Sequence, residues 1–282
     1  GMNKKELLIG LDIGGSKVLG LLYDRQTGKS YAAKRQLINK EKLSDLLNQL
    51  NIEINRLSME AIRLQSKIAG IGIGIPGSIN NGKIIRCPNL PILNGQKLGQ
   101  LLAPAVKINN IVLDNDLNCF LRAYLQKHPA LKKQTLVVIA LGTGVGGSIA
   151  INGQNIIKHL GISSELGHLI VDQSGHDLEY YYHQLTGHPS GRLFTAAEDG
   201  NQTAQRKIDQ FANILGLVVA NLNTIFNPNS IILTGGVSRY HKFYLDQVKK
   251  IIKNYSFTNN RPVWRIGHDQ KAGAIGASLL IN

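Results

Sequence analysis

In Ile9-Gly-Leu-Asp-Ile-Gly-Gly-Ser-Lys17 an apolar strand runs directly into a carboxylate, two glycines, a hydroxyl and an amine. Gly14 and Gly15 allow the backbone to turn sharply and to bring its N–H groups close to an anion. Ser16 and Lys17 add a hydroxyl donor and a positive charge. The stretch predicts a phosphate-binding loop at a strand end, with a plain Gly-Gly hairpin as the alternative.

Two predicted strands flank this loop. The apolar runs Leu7 to Leu11 and Val18 to Tyr23 read as the two strands of a hairpin. Asp12 therefore lies at the end of the first strand, where a carboxylate suits a magnesium ion held through water. The acid and the loop together favour a phosphate that carries magnesium.

A second stretch repeats this pattern later in the sequence. The apolar strand Thr135–Leu141 runs into Gly142-Thr-Gly-Val-Gly-Gly-Ser148. Glycine-rich turns in equivalent positions indicate a duplicated unit with one loop in each half, and two such loops can bind one phosphate chain. We therefore expect two domains, residues 1–116 and 117–269, with a C-terminal helix over 270–282 that packs back on the first.

A third glycine pair follows another predicted strand. Ser230 to Thr234 is apolar in its centre and ends at Gly235-Gly236, where a flat base can lie against bare backbone. The three stretches together predict a nucleotide site. Its predicted residues are Asp12, Gly14, Gly15, Ser16, Lys17, Gly142, Thr143, Gly144, Gly146, Gly147, Gly235 and Gly236.

Polar side chains crowd the point where the short strand Ile111 to Leu113 gives way to a helix. The sequence there is Asp114-Asn-Asp-Leu-Asn118. A helix N-cap uses one Asp or Asn oxygen to satisfy free N–H groups of the first turn, and this does not account for the other three side chains. We expect Asn115 and Asp116 to face a ligand.

Two further regions suit a sugar. Gly82 to Gly95 has no helical period and is rich in proline and asparagine, which predicts an extended loop. Such a loop can bind a polyol or simply connect two elements. Pro76-Gly77 ends the predicted strand Ile68 to Ile75, and the glycines inside that strand indicate a close approach of backbone or ligand.

Acids and histidines follow the second glycine-rich turn. Glu165 and His168 have a spacing that can place both on one side of a turn facing a ligand, although an exposed acid and a surface histidine also fit. Asp177-Leu-Glu179 then begins an aromatic helix. The region has no cysteine and its histidines are irregularly spaced, so zinc is not expected, while binding of any metal by these histidines stays open.

Composition narrows the classes of partner. The chain has 282 residues and 43% hydrophobic content, enough for two buried cores. A net charge of +14 favours acidic partners, but dispersed lysines and 6% aromatics argue against nucleic acid and leave a polyphosphate donor as a minor alternative. Cys87 and Cys119 provide no disulfide scaffold, and no run resembles a signal peptide or membrane span. We expect a cytoplasmic protein without nucleic-acid or membrane partners.

Taken in order, these motifs resemble the ROK family of sugar kinases and repressors over nearly the whole sequence. Asp12-Ile-Gly-Gly-Ser-Lys17 resembles its first phosphate loop, Leu141-Gly-Thr-Gly-Val-Gly-Gly147 its second, and Leu233-Thr-Gly-Gly-Val-Ser238 its adenosine motif. The resemblance implies an α/β fold of two actin-like (ribonuclease H-like) ATPase domains with a cleft between them. It also implies ATP as the phosphate donor, Mg²⁺ as its metal, and a homodimer.

The resemblance implies the residues of a sugar site as well. The matching motifs are Pro76-Gly77, Pro88-Asn89, Asn115-Asp116, Glu165-Leu-Gly-His168 and Glu179. Asp116 would take the proton from the sugar hydroxyl. The residues that would bind the sugar are Gly77, Asn89, Asn115, Glu165, His168 and Glu179. The implied activity is an ATP-dependent kinase of glucose or an N-acetylhexosamine, acting at O6, with the identity of the hexose left open.

The sequence departs from the family at one place. Where a cysteine-rich zinc loop usually follows the Glu-x-Gly-His turn, this sequence runs from Val171 through Gly175 directly to Asp177. The departure removes the expected zinc and leaves the bracing of His168 in doubt. A ROK repressor needs a DNA-binding helix-turn-helix ahead of the first strand, and only residues 1 to 6 precede it, so we expect an enzyme rather than a sugar-sensing regulator.

Overall fold

The computed structural model describes residues 5–155 and 165–282, which form two compact units. The first unit contains residues 5–129 and Asp269–Asn282, and the second contains residues 130–155 and 165–268. The first unit includes the helix Asp116–Lys127. The predicted boundary at residue 116 would instead assign nearly all of this helix to the second domain. None of the helices in these described residues is long and apolar enough to cross a membrane.

The elements alternate between strands and helices along the chain. The strands are β1 (Lys5–Ile13), β2 (Lys17–Asp24), β3 (Lys29–Leu37), β4 (Ser66–Ile75), β5 (Ser78–Asn80), β6 (Lys83–Arg86), β7 (Ile111–Asn115), β8 (Thr135–Leu141), β9 (Val145–Ile151), β10 (Gln154–Asn155), β11 (Ser230–Thr234) and β12 (Val263–Ile266). The helices are α1 (Leu43–Arg63), α2 (Leu98–Val106), α3 (Asp116–Lys127), α4 (Leu178–Thr186), α5 (Gly191–Glu198), α6 (Gln202–Phe226), α7 (Leu245–Tyr255) and α8 (Ala272–Ser278). Short 3₁₀ helices cover Pro91–Leu93, Pro129–Lys133, Leu166–His168 and Gly236–Phe243.

Each unit contains one five-stranded sheet, and the two sheets have the same topology. The strand order is β3-β2-β1-β4-β7 in the first and β10-β9-β8-β11-β12 in the second. In both, an antiparallel hairpin carries the glycine-rich turn and is followed across the sheet by two parallel strands. The duplication that the repeated sequence pattern predicts is therefore confirmed at the level of topology.

The first sheet is covered on both faces, which explains why β1 is buried along nearly its whole length. Alternate residues of a strand point to opposite faces. Leu7, Ile9 and Leu11 share a core with one side of α1, whose buried residues recur at helical spacing at Leu46, Leu50, Ile54 and Leu57.

Helix α8 packs on β1, β2, β4 and α3, all within the first unit. The contact is close because glycines face the helix backbone. A β-carbon at Gly10 would overlap the carbonyl oxygen of Ala274, and one at Gly72 would overlap that of Ala277. The glycines inside β4, which the sequence analysis left open between backbone packing and a ligand, thus serve backbone packing at Gly72.

Gly72→Ala should lower the free energy of unfolding by on the order of 3 kcal/mol, because α8 must move to admit one methyl group. Gly191→Ala is the matched control, since a β-carbon there meets no heavy atom within 4 Å. Urea denaturation of both variants measures the difference. Equal unfolding midpoints for the two variants would contradict the close packing of α8.

The segment from Gly82 to Gly95 is more ordered than its sequence predicts. β5 and β6 form a small antiparallel hairpin, and the 3₁₀ helix Pro91–Leu93 follows. The backbone of Ile84 exchanges hydrogen bonds with Gly95 and Gln96. The prediction of a purely extended loop was wrong because these contacts join residues too far apart for local periodicity to reveal.

Candidate active site

Predicted site residues of the first unit lie along one edge of its sheet. The parallel strands β1, β4 and β7 place Asp12, Gly74 and Asp114 in register across the sheet. Because these strands end at the same edge, the residues that follow them come together there. Asn115 ends β7 and Asp116 begins α3, and ligands of α/β sheets bind beyond the carboxyl ends of such strands.

The first glycine-rich loop is a tight turn that touches a predicted sugar residue. The Gly14 N–H donates to the Lys17 carbonyl over 2.7 Å, while the side chains of Ser16 and Lys17 are exposed. A β-carbon at Gly15 would lie 3.0 Å from Cβ of Asn89. The structure therefore brings the first predicted phosphate loop into contact with Asn89.

Asp12 lies where α8 leaves space for its carboxylate. Gly273 has no side chain, and a β-carbon there would lie 2.5 Å from Asp12 Oδ2. Burial raises the pKa of Asp12 to about 6, and Arg35 opposes the shift. A nearby cation stabilises the ionised form of a carboxylate that has lost hydration in this way, so Asp12 fits a hydrated divalent ion.

Asn115 is the N-cap of α3, and its side chain also supports Gly77. Its Oδ1 accepts the Leu117 N–H over 2.9 Å, and its Nδ2 donates to the Gly77 carbonyl over 3.0 Å. The side chain is buried, and both of its polar atoms bond within the protein. Asn115 thus fixes the turn that predicted sugar residue Gly77 forms.

Asp116 is the first residue of α3 and is half-buried. Its Oδ1 accepts the Leu117 N–H over 2.9 Å, which orients the carboxylate at the helix start. Burial raises the pKa of the Cys119 thiol, and the negative charges of Asp12, Asp114 and Asp116 raise it further. Asp116 therefore belongs to the acidic edge that also carries Asp12.

In the second unit the second glycine-rich loop meets the glycine pair after β11. The Gly142 N–H donates to the Gly144 carbonyl over 3.0 Å. Gly235 has a φ of 85°, and a β-carbon there would overlap the Leu141 carbonyl. Gly236 is exposed with nothing near its missing side chain, and Gly146 pairs with Ala140 across the hairpin. The predicted loop and the predicted adenosine motif are therefore neighbours.

Glu179 ties the same loop to the Glu-Leu-Gly-His turn. Its Oε2 accepts the Val145 N–H over 3.0 Å and would lie 2.8 Å from a β-carbon at Gly144. A β-carbon at Gly167 would lie 3.1 Å from the same oxygen, and one at Gly147 would overlap Leu166. Gly144 and Gly147 were predicted only to bind phosphate, but close packing also requires both.

His168 is braced by a carboxylate. Its Nδ1 lies 2.8 Å from Asp177 Oδ2, and Asp177 Oδ1 accepts the Tyr180 N–H as the N-cap of α4. Its backbone N–H donates to the carbonyl of Glu165, which is exposed. The brace that the sequence left in doubt is thus present, and it comes from the residue that begins the next helix.

A compact hydrogen-bonded loop occupies the place of the deleted segment. Asp172 Oδ1 accepts the N–H groups of Ser174 and His176, and its Oδ2 lies 2.9 Å from His176 Nδ1. Tyr181 OH donates to Asp172 Oδ2 over 2.5 Å. In residues 5–155 and 165–282, no three His, Cys, Asp or Glu side chains are grouped to hold a metal ion.

The His168–Asp177 pair predicts a pH dependence. The Asp177 hydrogen bond raises the pKa of His168 against a smaller opposing effect of burial. A raised histidine pKa contributes stability that is full below its ordinary value of about 6.5 and declines as the pH rises through the folded-state pKa. Asp177→Asn should lower the His168 pKa, because asparagine keeps the cap on α4 and removes the charge. NMR titration of His168 measures the change, and an unaltered pKa would contradict the brace.

Three residues make contacts that no sequence pattern indicated: Tyr182, Ser190 and Gly273. Tyr182 OH donates to the Gly142 carbonyl over 2.7 Å, and Ser190 Oγ donates to the same oxygen over 3.1 Å. Gly273 makes room for Asp12. The aromatic helix and the small-residue helix were both visible in the sequence, but their long-range partners were not.

Comparison with known proteins gives matches over nearly the whole chain. The family model described as "ROK family" matches residues 8–178 and 173–282. The N-acetyl-D-glucosamine kinase of Pectobacterium carotovorum subsp. carotovorum strain PC1 is 25% identical, with 96% of this chain and 97% of that protein covered.

Solved structures are similar over nearly all of this chain. A ROK family glucokinase from Streptomyces griseus in complex with glucose and AMPPNP has a TM-score of 0.78 at 21% identity, covering 98% of this chain and 99% of that one. A ROK family transcriptional regulator, a homologue of the E. coli MLC protein, has a TM-score of 0.81 at 20% identity, covering 98% of this chain and 78% of that one. These likenesses confirm the predicted actin-like ATPase fold class.

Proposed function

The chain belongs to the ROK family, and from that premise we propose that it is an ATP-dependent kinase of a hexose or an N-acetylhexosamine. The observation that carries the proposal is the edge of the first sheet. There Asp116 begins α3, Asn115 fixes Gly77, and the Gly14–Gly15 turn contacts Asn89. A carboxylate for a hydroxyl, amide groups for a polyol and a turn for a phosphate are what phosphoryl transfer to a sugar requires.

The chemistry is mainly positioning. As O6 of the sugar bonds to the terminal phosphorus of ATP, the bond from that phosphorus to the bridging oxygen breaks and ADP leaves. Asp116 accepts the proton that O6 loses. The ROK resemblance assigns the other hydroxyls to Asn89 in the first unit and to Glu165, His168 and Glu179 in the second. In the first unit, Asn115 also shapes the turn at Gly77. A magnesium ion bound near Asp12 would neutralise charge on the phosphates.

The nucleotide is assigned to the glycine-rich stretches. Ser16, Lys17 and the Gly14–Gly15 turn would face phosphate in the first unit, and Gly142 to Gly147 would do so in the second. Gly235 and Gly236 would lie against adenine, which bare polyphosphate does not need. The +14 charge favours polyphosphate as the alternative donor.

A panel of sugars tests the function and identifies the acceptor. N-acetylglucosamine is the first sugar to assay because a curated relative is named for it, and glucose is the second. We expect ADP release that depends on both ATP and one of these sugars. Polyphosphate replaces ATP in a parallel series, and a higher kcat/KM with polyphosphate would reverse the assignment of the donor. No turnover with any sugar would favour a sugar-sensing regulator.

Zinc should be dispensable. The loop that Asp172 closes by hydrogen bonds and the Asp177 carboxylate on His168 together supply the order that a metal would otherwise provide. We expect unchanged activity after chelation and dialysis, with magnesium restored. Elemental analysis provides the check, and stoichiometric zinc lost together with activity would contradict the prediction.

A cytoplasmic location and a homodimer are further proposals. Phosphorylation by ATP takes place where ATP is abundant, and the ROK resemblance implies the dimer. Cell fractionation tests the first proposal. Light scattering of the purified protein tests the second, with a monomer mass as the contradicting result.

A further inference from the structure

One carbonyl group of the second glycine-rich loop is held by two buried hydroxyls. Gly142 O accepts from Tyr182 OH over 2.7 Å and from Ser190 Oγ over 3.1 Å, and the two hydroxyl oxygens are 2.9 Å apart. Each hydroxyl has one proton. Either both donate to Gly142, or Tyr182 donates to Ser190 and Ser190 donates to Gly142. In both arrangements the carbonyl is held against α4 and the start of α5.

Both donors are placed for this contact. Tyr182 is fully buried, and its ring packs against Phe211 with centroids 5.3 Å apart. Burial raises the pKa of Tyr182 to about 12, so its hydroxyl stays protonated at any assay pH. Ser190 precedes α5 at its N-cap position, yet its side chain makes no cap there. A serine that ordinarily caps its own helix is used on Gly142 instead.

The direction of this carbonyl determines the direction of the next N–H. In a trans peptide the C=O of one residue and the N–H of the next point in opposite directions. Since Gly142 C=O points at Tyr182, the Thr143 N–H points away from the core. The other ends of the loop are already bonded, Gly142 N–H to Gly144 and Val145 N–H to Glu179. In the described residues, the N–H groups of Thr143 and Gly144 have no hydrogen-bond partner.

We propose that Tyr182 and Ser190 are positioning residues that hold the Gly142 carbonyl inward and thereby aim the Thr143 N–H at the phosphates of the donor. The inference rests on the proposed function. It adds residues that touch neither substrate and predicts a selective effect on the donor. An anion gains most from N–H groups that are oriented before it binds, because no backbone rearrangement is then needed.

Kinetics of matched tyrosine variants test the proposal. Tyr182→Phe should raise KM for ATP about threefold to tenfold, the effect of one hydrogen bond, with KM for the sugar unchanged. Tyr23→Phe is the control, because Tyr23 is also a buried tyrosine but lies on β2 of the first unit, in the core that it shares with Ala274. We expect its KM for ATP to equal that of the wild type.

The double variant sharpens the test. Tyr182→Phe with Ser190→Ala leaves the Gly142 carbonyl without a hydroxyl, so KM for ATP should rise about 30-fold or more. Ser190→Thr in the Tyr182→Phe background keeps a hydroxyl and should retain the smaller effect. Calorimetry with AMPPNP measures donor binding apart from turnover, and thermal unfolding compares each variant with Tyr23→Phe.

The outcomes separate the two proposals. If the wild-type protein is active and the double variant keeps the wild-type KM for ATP and affinity for AMPPNP, the positioning role is contradicted and the proposed function stands. Parallel increases in the KM values of ATP and sugar indicate general damage and also contradict it. A wild-type protein that phosphorylates no sugar with ATP contradicts the proposed function, and the positioning role with it.

Discussion

Asp116→Asn should reduce kcat by about 100-fold to 10,000-fold while the sugar still binds. Asparagine has the shape of aspartate and can hydrogen-bond the hydroxyl, but it cannot take the proton. It also preserves the start of α3, because its carbonyl oxygen can accept the Leu117 N–H as Asp116 Oδ1 does. The loss should therefore appear in turnover. Steady-state kinetics and calorimetric sugar titration of the same preparation measure the two effects separately.

Asp114→Asn is the control for this variant. Asp114 lies two residues away on β7, and its Oδ1 accepts the N–H of Asn115 and the amide of Asn118. Asparagine can maintain both bonds, and only the exposed pair with Arg122 is lost. We expect kcat within a fewfold of the wild-type value. If Asp116→Asn turned over as fast as Asp114→Asn, Asp116 would not be the base, and a pure loss of sugar affinity would make it a binding residue.

Asp12→Asn should lower magnesium-dependent turnover by about 100-fold to 1,000-fold, since correct placement of the metal is worth several kcal/mol in phosphoryl transfer. Asparagine fits the space beside Gly273 but lacks the charge that attracts the hydrated ion. Turnover measured over a range of Mg²⁺ concentrations should show a requirement for more metal. A wild-type response to Mg²⁺ would remove Asp12 from the metal site.

Stability distinguishes this effect from damage to the fold. The pKa of Asp12 is raised to about 6, so in the metal-free protein its contribution to stability falls as the pH rises from about 4 to about 6. Asp12→Asn removes that penalty and should be at least as stable as the wild type at pH 7.5. Asp24→Asn should give the opposite result. Because Asp24 is buried and paired with Lys5, this variant should be less stable than the wild type while its response to Mg²⁺ is unchanged. Thermal unfolding compares the two variants.

Local sequence patterns predicted the strands and the turns that carry the candidate site. Continuous apolar runs and the Gly14–Gly15 and Gly142–Gly144 turns are encoded within a few residues, so the hairpins β1–β2 and β8–β9 were predicted correctly. The repeat of that pattern predicted a duplicated unit, and the structure has two sheets of one topology. The roles of individual residues in catalysis stay predictions.

Tertiary contacts were beyond the reach of local patterns. Gly144 and Gly167 are required because Glu179 Oε2 lies against both, and Glu179 is far from Gly144 along the chain. Ser190 was not recognised because a serine before a helix is ordinarily a cap, and only the fold shows its hydroxyl on Gly142. Such roles depend on which helices, strands and loops contact one another, and the periodicity of a single sequence does not reveal those contacts.

The packing of α8 also has a consequence for biosynthesis. The first sheet is made early, but the helix that covers its face at Gly10 and Gly72 is translated about 140 residues after the rest of that unit, with the whole second unit in between. At about 5–20 residues per second the interval is roughly 7–30 s. During that time Leu21 and Tyr23, which share a core with Ala274, lack their cover on the ribosome-bound chain. The first unit therefore completes its fold only after the second unit has been synthesised, although its own synthesis begins earlier.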